Sequence, residues 1–282
     1  MNHGLRYAVN CSLLFTELPL LQRPAAAAAA GFDAVEFWWP WPDQPRPAEG
    51  EVDAFVSAVR DAGVDLVGLN FFAGDLAGPD CGVVSLPERA AEFRDNVDVV
   101  VGIGEALDVP AFNALYGNRV DTATPEQQDE LAAENLRLAA RAVDAIGGTV
   151  LVEPVSGPKP YPLRTATDVV RVLDRVGVDN VGFLCDLFHL ANNGDDPARA
   201  VAEHGSRIAH VQIADWPGRH EPGTGDLDLD GLLRQAEAGG YRGRVALEYL
   251  PATSTEDSLS WLPRDRRGAT GQQHHAQEAT PA

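Results

Sequence analysis

Cysteine is scarce. Cys11, Cys81 and Cys185 are three in 282 residues, odd in number and far apart, with no CxxC pair. That excludes a disulfide framework and a structural zinc site built on paired thiolates. Basic residues are also few: Lys plus Arg number 22 against 42 Asp plus Glu, a formal net charge of −20. So acidic a surface repels a phosphate backbone, which argues against nucleic-acid and anionic-membrane partners. No run approaches the ~20 apolar residues of a membrane span. Residues 1–10 lack the basic stretch and long apolar run of a signal peptide, so the expectation is a soluble, cytoplasmic protein. The GxGxxG of dinucleotide-binding sheets is missing after the first apolar segment.

What remains is ordinary globular composition, 45% hydrophobic and 23% charged, which rules out a disordered or fibrous chain. The length suits two ordinary domains or one large α/β barrel, which typically runs ~250 residues. Short apolar segments at 7–11, 34–37, 65–70, 111–115, 149–153, 181–186, 208–213 and 244–249 read as strands. Several are nearly continuous apolar runs, as parallel strands covered on both faces should be. Helical segments lie between them. Thr124-Pro125-Glu126-Gln127 supplies an N-cap, a first-turn proline and a capping-box glutamine. Ser85-Leu86-Pro87-Glu88 repeats that logic ahead of a helix through Leu107, Asp196-Pro197 opens another, and Thr165 caps one ending near Val176. Gly31, Gly63 and Gly177 stand where helices should stop.

Eight strands alternating with helices predict a parallel α/β fold, and closure into a single (β/α)8 TIM barrel over residues 5–263. From Arg264 the apolar periodicity stops, so residues 264–282 are expected to be a disordered tail.

Polar residues interrupt the late strands at their ends: Glu153, Asp186, Gln212 and Glu248, spaced 33, 26 and 36 residues apart. Each interval is about one β–α unit, which puts them on strands five to eight at the C-terminal rim where barrel active sites form. Three carboxylates and an amide converging there would be strongly unfavourable without a cation. All four offer oxygen, so Mg2+ or Mn2+ fits better than zinc. The alternative for each acid alone is a helix cap or an arginine partner.

His189, three residues past Asp186, is expected to hydrogen-bond a substrate oxygen, with a packing histidine as the competing role. His210 shares the face of Gln212 and lines the same site. Arg219, in the Gly/Pro-rich loop 215–225, is expected to clamp a substrate carboxylate bidentately. Trp38, Trp39 and Trp41 could wall the pocket, fill the core or form an interface, and a homo-oligomer is left open.

At these residues the chain resembles the hydroxypyruvate isomerase family, within the xylose-isomerase-like barrels that also include ketose epimerases and apurinic-site endonucleases. The likeness runs through Asn10-Cys-Ser-Leu-Leu-Phe, Gly31-Phe-Asp-Ala-Val-Glu-Phe, Ala73-Gly-Asp, Glu92-Phe-Arg-Asp, Glu134-Asn-Leu, Glu153-Pro, Cys185-Asp-Leu-Phe-His, His210-Val-Gln-Ile-Ala-Asp, Glu221-Pro-Gly-Thr-Gly and Glu248-Tyr. The block 210–225 is its most specific part, because related epimerases usually carry a metal-binding His where Gln212 stands.

The resemblance implies interconversion of hydroxypyruvate and 2-hydroxy-3-oxopropanoate (tartronate semialdehyde), with Glu153 and Glu248 as acid/base pair and Asn70 among the substrate-binding residues. Phe72, where family members often have Pro, and the aromatic Trp38-Trp39-Pro40-Trp41 depart from the pattern at loops that choose the substrate. A 2-oxo-tetronate isomerase and a ketose 3-epimerase are therefore the near alternatives. An apurinic-site endonuclease would need a His-rich multi-zinc site and a basic face. A non-catalytic sugar-binding barrel should lack the Glu153–Glu248 pair.

Overall fold

The computed structural model describes residues 3–268. Its strands are β1 (Tyr7–Asn10), β2 (Ala34–Phe37), β3 (Asp65–Asn70), β4 (Ala111–Asn113), β5 (Thr149–Val152), β6 (Val181–Asp186), β7 (Ile208–Ile213) and β8 (Val245–Leu247). Each pairs in parallel with the next, and β8 pairs with β1, so the sheet closes into the expected eight-stranded barrel. Helices α1 (Arg23–Ala29), α2 (Glu49–Ala62), α3 (Ala90–Leu107), α4 (Pro125–Asp144) and α5 (Ala166–Val176) follow the first five strands in turn. After β6 come α6 (Leu187–Asn192) and α7 (Pro197–His204), after β7 comes α8 (Leu229–Ala238), and after β8 a short α9 (Thr255–Ser258). Every residue of β1, β2 and β6 is buried, as a parallel sheet covered by helices requires.

The local signals act mostly as read. Thr124 Oγ1 accepts from the Gln127 N–H at 3.2 Å while Gln127 Oε1 accepts from the Thr124 N–H at 2.9 Å. Thr165 Oγ1 accepts from the Asp168 N–H, and Asp196 accepts from the N–H groups of Ala198 and Arg199. Gly63 and Gly177 take the left-handed conformation at the ends of α2 and α5. The signal at Ser85 misleads. Pro87–Arg89 form only a 3-10 turn, α3 begins at Ala90, and Ser85 is instead buried against Gln128 Nε2. A proline three residues too early started a turn rather than the helix.

Four predicted strands keep their place but shorten or start late at the ends. Cys11, Ala114, Leu115, Glu153, Glu248 and Tyr249 leave the ladder at the C-terminal rim, and Arg244 precedes β8. Those rim departures free backbone for the loops that make the site. At the opposite end of the chain, the boundary expected at Pro263 falls inside a docked segment. Arg264–Arg266 form a 3-10 turn. Arg266 donates to the His3 carbonyl at 2.9 Å and Arg267 to those of Leu262, Ala30 and Leu259. The rest of the expected tail, 269–282, lies outside the described residues. Cys11, Cys81 and Cys185 are buried free thiols, and no described helix is long and apolar enough to cross a membrane.

Candidate active site

Register brings the late-strand residues to one level. Asp186 on β6 pairs with Gln212 on β7, Gln212 pairs with Ala246 on β8, and Glu248 stands two residues beyond. Glu153 follows β5 directly. All four side chains are buried, between 1% and 5% exposed. A cavity of about 170 Å3 opens beside two of them, Glu153 and Glu248, and is lined also by Asn70, His189, Arg219 and Trp38. It is well below the usual range of drug-sized pockets, so a small metabolite is the occupant it fits.

The charge in this place is concentrated. Burial, then Glu248 and Asp186, hold the Glu153 carboxyl well above the usual carboxylate range. Burial and the Glu248 charge do the same to Asp186. Burial raises Glu248 too, against the opposing pull of Arg219. Side-chain atoms of Glu153, Asp186 and His189 lie within 4.8 Å of one another, a grouping with the residue types of a divalent-metal site. Gln212 gives Nε2 to Glu36 Oε1 at 2.6 Å and to Glu248 Oε1 at 3.1 Å. Its Oε1 is buried and has no partner. An orphaned amide oxygen beside three crowded carboxylates fits an oxygen-ligated cation, because a cation removes both the repulsion and the missing hydrogen bond.

His189 is held by the loop after β5. The Ser156 backbone N–H donates to its Nδ1 at 3.1 Å, and Ser156 Oγ lies 2.7 Å from the same atom. A backbone N–H can only donate, so Nδ1 is the acceptor and the neutral ring carries its proton on Nε2. Burial, with Arg219 and Arg164, pushes this imidazole well below its ordinary value and keeps it neutral. Nε2 lies 3.9 Å from Asp186 Oδ2, a donor aimed at the carboxylate cluster.

Arg219 reaches the site from the loop after β7. Asp215 folds that loop by accepting from the N–H groups of Trp216, Gly223 and Leu227. Gly225 packs so tightly on the Trp216 carbonyl that a Cβ there would clash. Arg219 Nη2 donates to Glu248 Oε2 at 2.6 Å, its Nε points to the Glu248 carbonyl at 3.4 Å, and its plane covers Phe188 at 5.5 Å. One edge of the fork therefore grips the carboxylate and the carbonyl of Glu248, while Arg219 also lines the cavity.

Several members of the site went unnoticed in the sequence. Glu36 on β2 binds Gln212, Asn10 Nδ2 at 2.8 Å and His210 Nε2 at 2.8 Å. Asn113 on β4 donates to Glu153 Oε1 at 2.6 Å. Trp38 donates its indole N–H to Glu248 Oε1 at 2.8 Å, while Trp39 and Trp41 pack edge to face in the core. The signal was available for Glu36, Asn10 and Asn113, which are polar residues in apolar strands like the four that were read. Ser156 in its irregular loop gave none.

Comparison with known proteins gives the same placement. The family model described as xylose isomerase-like TIM barrel matches residues 24–264. A Streptomyces coelicolor protein named as a candidate hydroxypyruvate isomerase is 52% identical, covering 94% of this chain and 98% of that protein. The Escherichia coli hydroxypyruvate isomerase is 31% identical over 92% of this chain and 98% of its own. A Haemophilus influenzae 2-oxo-tetronate isomerase is also 31% identical, over 92% and 98%. Among solved structures, an AP endonuclease, family 2, from Brucella melitensis superposes with a TM-score of 0.82 at 34% identity, covering 91% of this chain and 97% of that one. On fold, site and sequence together, the chain belongs to the xylose-isomerase-like TIM-barrel family, close to its hydroxypyruvate isomerases and 2-oxo-tetronate isomerases.

Proposed function

We propose that the protein is a hydroxypyruvate isomerase, interconverting hydroxypyruvate and 2-hydroxy-3-oxopropanoate through an enediolate. The observation that carries this is the pair Glu153 and Glu248, two buried carboxylates from opposite parts of the ring that both line one small cavity. An aldose–ketose shift needs a proton taken from one carbon and another returned to its neighbour, so two general acid/base groups facing one small substrate suit it. Glu153, Asp186, Gln212 and Glu248 would hold Mg2+ or Mn2+, with the Gln212 carbonyl supplying the oxygen that has no other partner. Such a cation, when bound, stabilises negative charge developing on the substrate oxygens as a Lewis acid. His189, protonated on Nε2, serves as a neutral donor to the carbonyl or enediolate oxygen. Arg219 holds Glu248 in place and offers Nη1 to the substrate, and Asn70 contacts it from β3. Each glutamate exchanges the roles of acid and base with the direction of reaction.

Relatives that act on 2-oxo-tetronates make a four-carbon acid the nearest alternative substrate. The likeness to an AP endonuclease structure is harder to carry over, since a −20 chain repels a nucleic-acid backbone. A substrate panel of hydroxypyruvate, 2-oxo-tetronates and ketoses, followed by proton NMR with and without EDTA, tests the reading. Hydroxypyruvate turnover that EDTA abolishes is the expected result. Turnover of ketoses alone would replace it with an epimerase or sugar isomerase.

A further inference from the structure

Arg219 spends one edge of its fork on Glu248, which leaves the charged end of a hydroxy-oxo acid short of partners. The chain has one lysine in 282 residues, Lys159, and it lines the cavity. Arg164, from the same loop after β5, lines it too. Lys159 Nζ donates to the Leu76 carbonyl at 2.8 Å and the Asp80 carbonyl at 2.5 Å, bridging to the loop after β3. Arg164 Nη1 donates to the Gly157 carbonyl at 3.0 Å. These neutral partners fix the two cations without cancelling their charge, and each cation keeps donors unspent. Among the described residues neither has a carboxylate within ion-pair distance, whereas Arg89, Arg119, Arg219 and Arg244 all do. In a chain with 42 acidic residues, two unneutralised cations on one small cavity are a built anion receptor. Deeper in the site a divalent cation and Arg219 would already balance Glu153, Asp186 and Glu248, which leaves this positive pair for the ligand.

We propose that Lys159 and Arg164 form the subsite that binds the substrate's carboxylate and thereby selects anionic hydroxy-oxo acids over neutral sugars. This rests on the isomerase reading for the reacting end only; anion binding can be measured without turnover. The compact ammonium of Lys159 can bridge two carbonyls and still present a third proton, which a planar guanidinium at that place could not do in the same geometry.

The test uses the Mg2+-loaded full chain labelled with 15N-lysine, which gives a single Nζ resonance. D-glycerate, an unreactive three-carbon acid, should shift that resonance, and glycerol, which lacks the carboxylate, should not. Lys159→Met and Arg164→Met should each weaken glycerate binding by calorimetry on the order of tenfold or more, the usual value of a hydrogen bond to a charged group. Both should raise KM for hydroxypyruvate and leave KM for dihydroxyacetone unchanged, since that ketose differs only in carrying CH2OH for the carboxylate. Should Lys159→Met melt early through loss of its loop bonds, Arg164→Met and the wild-type resonance carry the test. Wild-type glycerate affinity in both variants overturns the proposal, as does a resonance that glycerate leaves unmoved. If the wild type binds glycerate through Lys159 but turns over no hydroxypyruvate, the subsite stands and the isomerase reading falls.

Discussion

Arg219 illustrates how one side chain can be placed in a site by sequence while a partner it holds there goes unread. A guanidinium in a Gly/Pro-rich loop suggests a carboxylate clamp, but the carboxylate it grips is Glu248. Arg219→Lys should therefore lower kcat on hydroxypyruvate and on a neutral ketose by similar factors. A rise in KM confined to the acid would return Arg219 to the substrate's carboxylate. Trp38→Phe removes the indole donor to Glu248 Oε1 while keeping an aromatic wall. It should reduce kcat several-fold with little change in melting temperature, because a charge-assisted hydrogen bond is lost and little packing goes with it. The strand-end carboxylates were legible one by one, since an acid closing an apolar run has few structural reasons to be there. Partnership was not legible, because Glu36, Asn10 and Gln212 meet through barrel closure, which joins residues 26 to 202 positions apart in the chain.

At the scale of elements, the caps and the loops separate cleanly. Thr165 Oγ1 holds the first turn of α5, so Thr165→Ala should cost about 1 kcal/mol of stability and leave turnover untouched. The loop after β7 should behave in the opposite way. Gly225→Ala places a Cβ against the Trp216 carbonyl, and the strain should displace Arg219 and cut kcat/KM more than it lowers Tm. Strand positions and most helix starts could be read from apolar runs and caps, because those signals are local. The helix after β3 could not be placed from Ser85, since tertiary packing against Gln128 claimed that hydroxyl. Loop structure was the least legible part, and it carries His189's tautomer, through Ser156, and both Lys159 and Arg164.

For the whole molecule, the acidic cluster links stability to pH and to metal. Glu153 and Asp186 have folded pKa values raised well above the ordinary carboxylate range, by burial first and by neighbouring carboxylates second. A raised folded value means stability that is present below the unfolded pKa and lost as pH climbs through the folded one. Metal-free protein should thus lose this contribution as pH rises from the ordinary carboxylate range through the raised folded values. Mn2+ should restore it, with about 2.7 kcal/mol at a hundredfold excess over Kd, and the gain in Tm should be larger at pH 8 than at pH 5. An equal gain at both, or none, would remove the cation from this cluster. The chain's end belongs to the same scale. Truncation after Pro263 removes the bonds from Arg266 and Arg267 to His3, Ala30, Leu259 and Leu262. It should melt several degrees below a truncation after Gly268. Composition showed where apolar periodicity ends; it could not show that arginines would anchor five more residues through backbone carbonyls.

The central claim is that Glu153 and Glu248 move the protons of an isomerisation, and Glu→Gln at each position tests it most directly. The amide keeps the shape and removes the base. Initial rates of hydroxypyruvate conversion, measured by proton NMR with saturating Mg2+ and with folding verified by circular dichroism, should fall by roughly a hundredfold to ten-thousandfold in each variant. A folded Glu248→Gln protein that isomerises hydroxypyruvate at the wild-type rate would contradict the account.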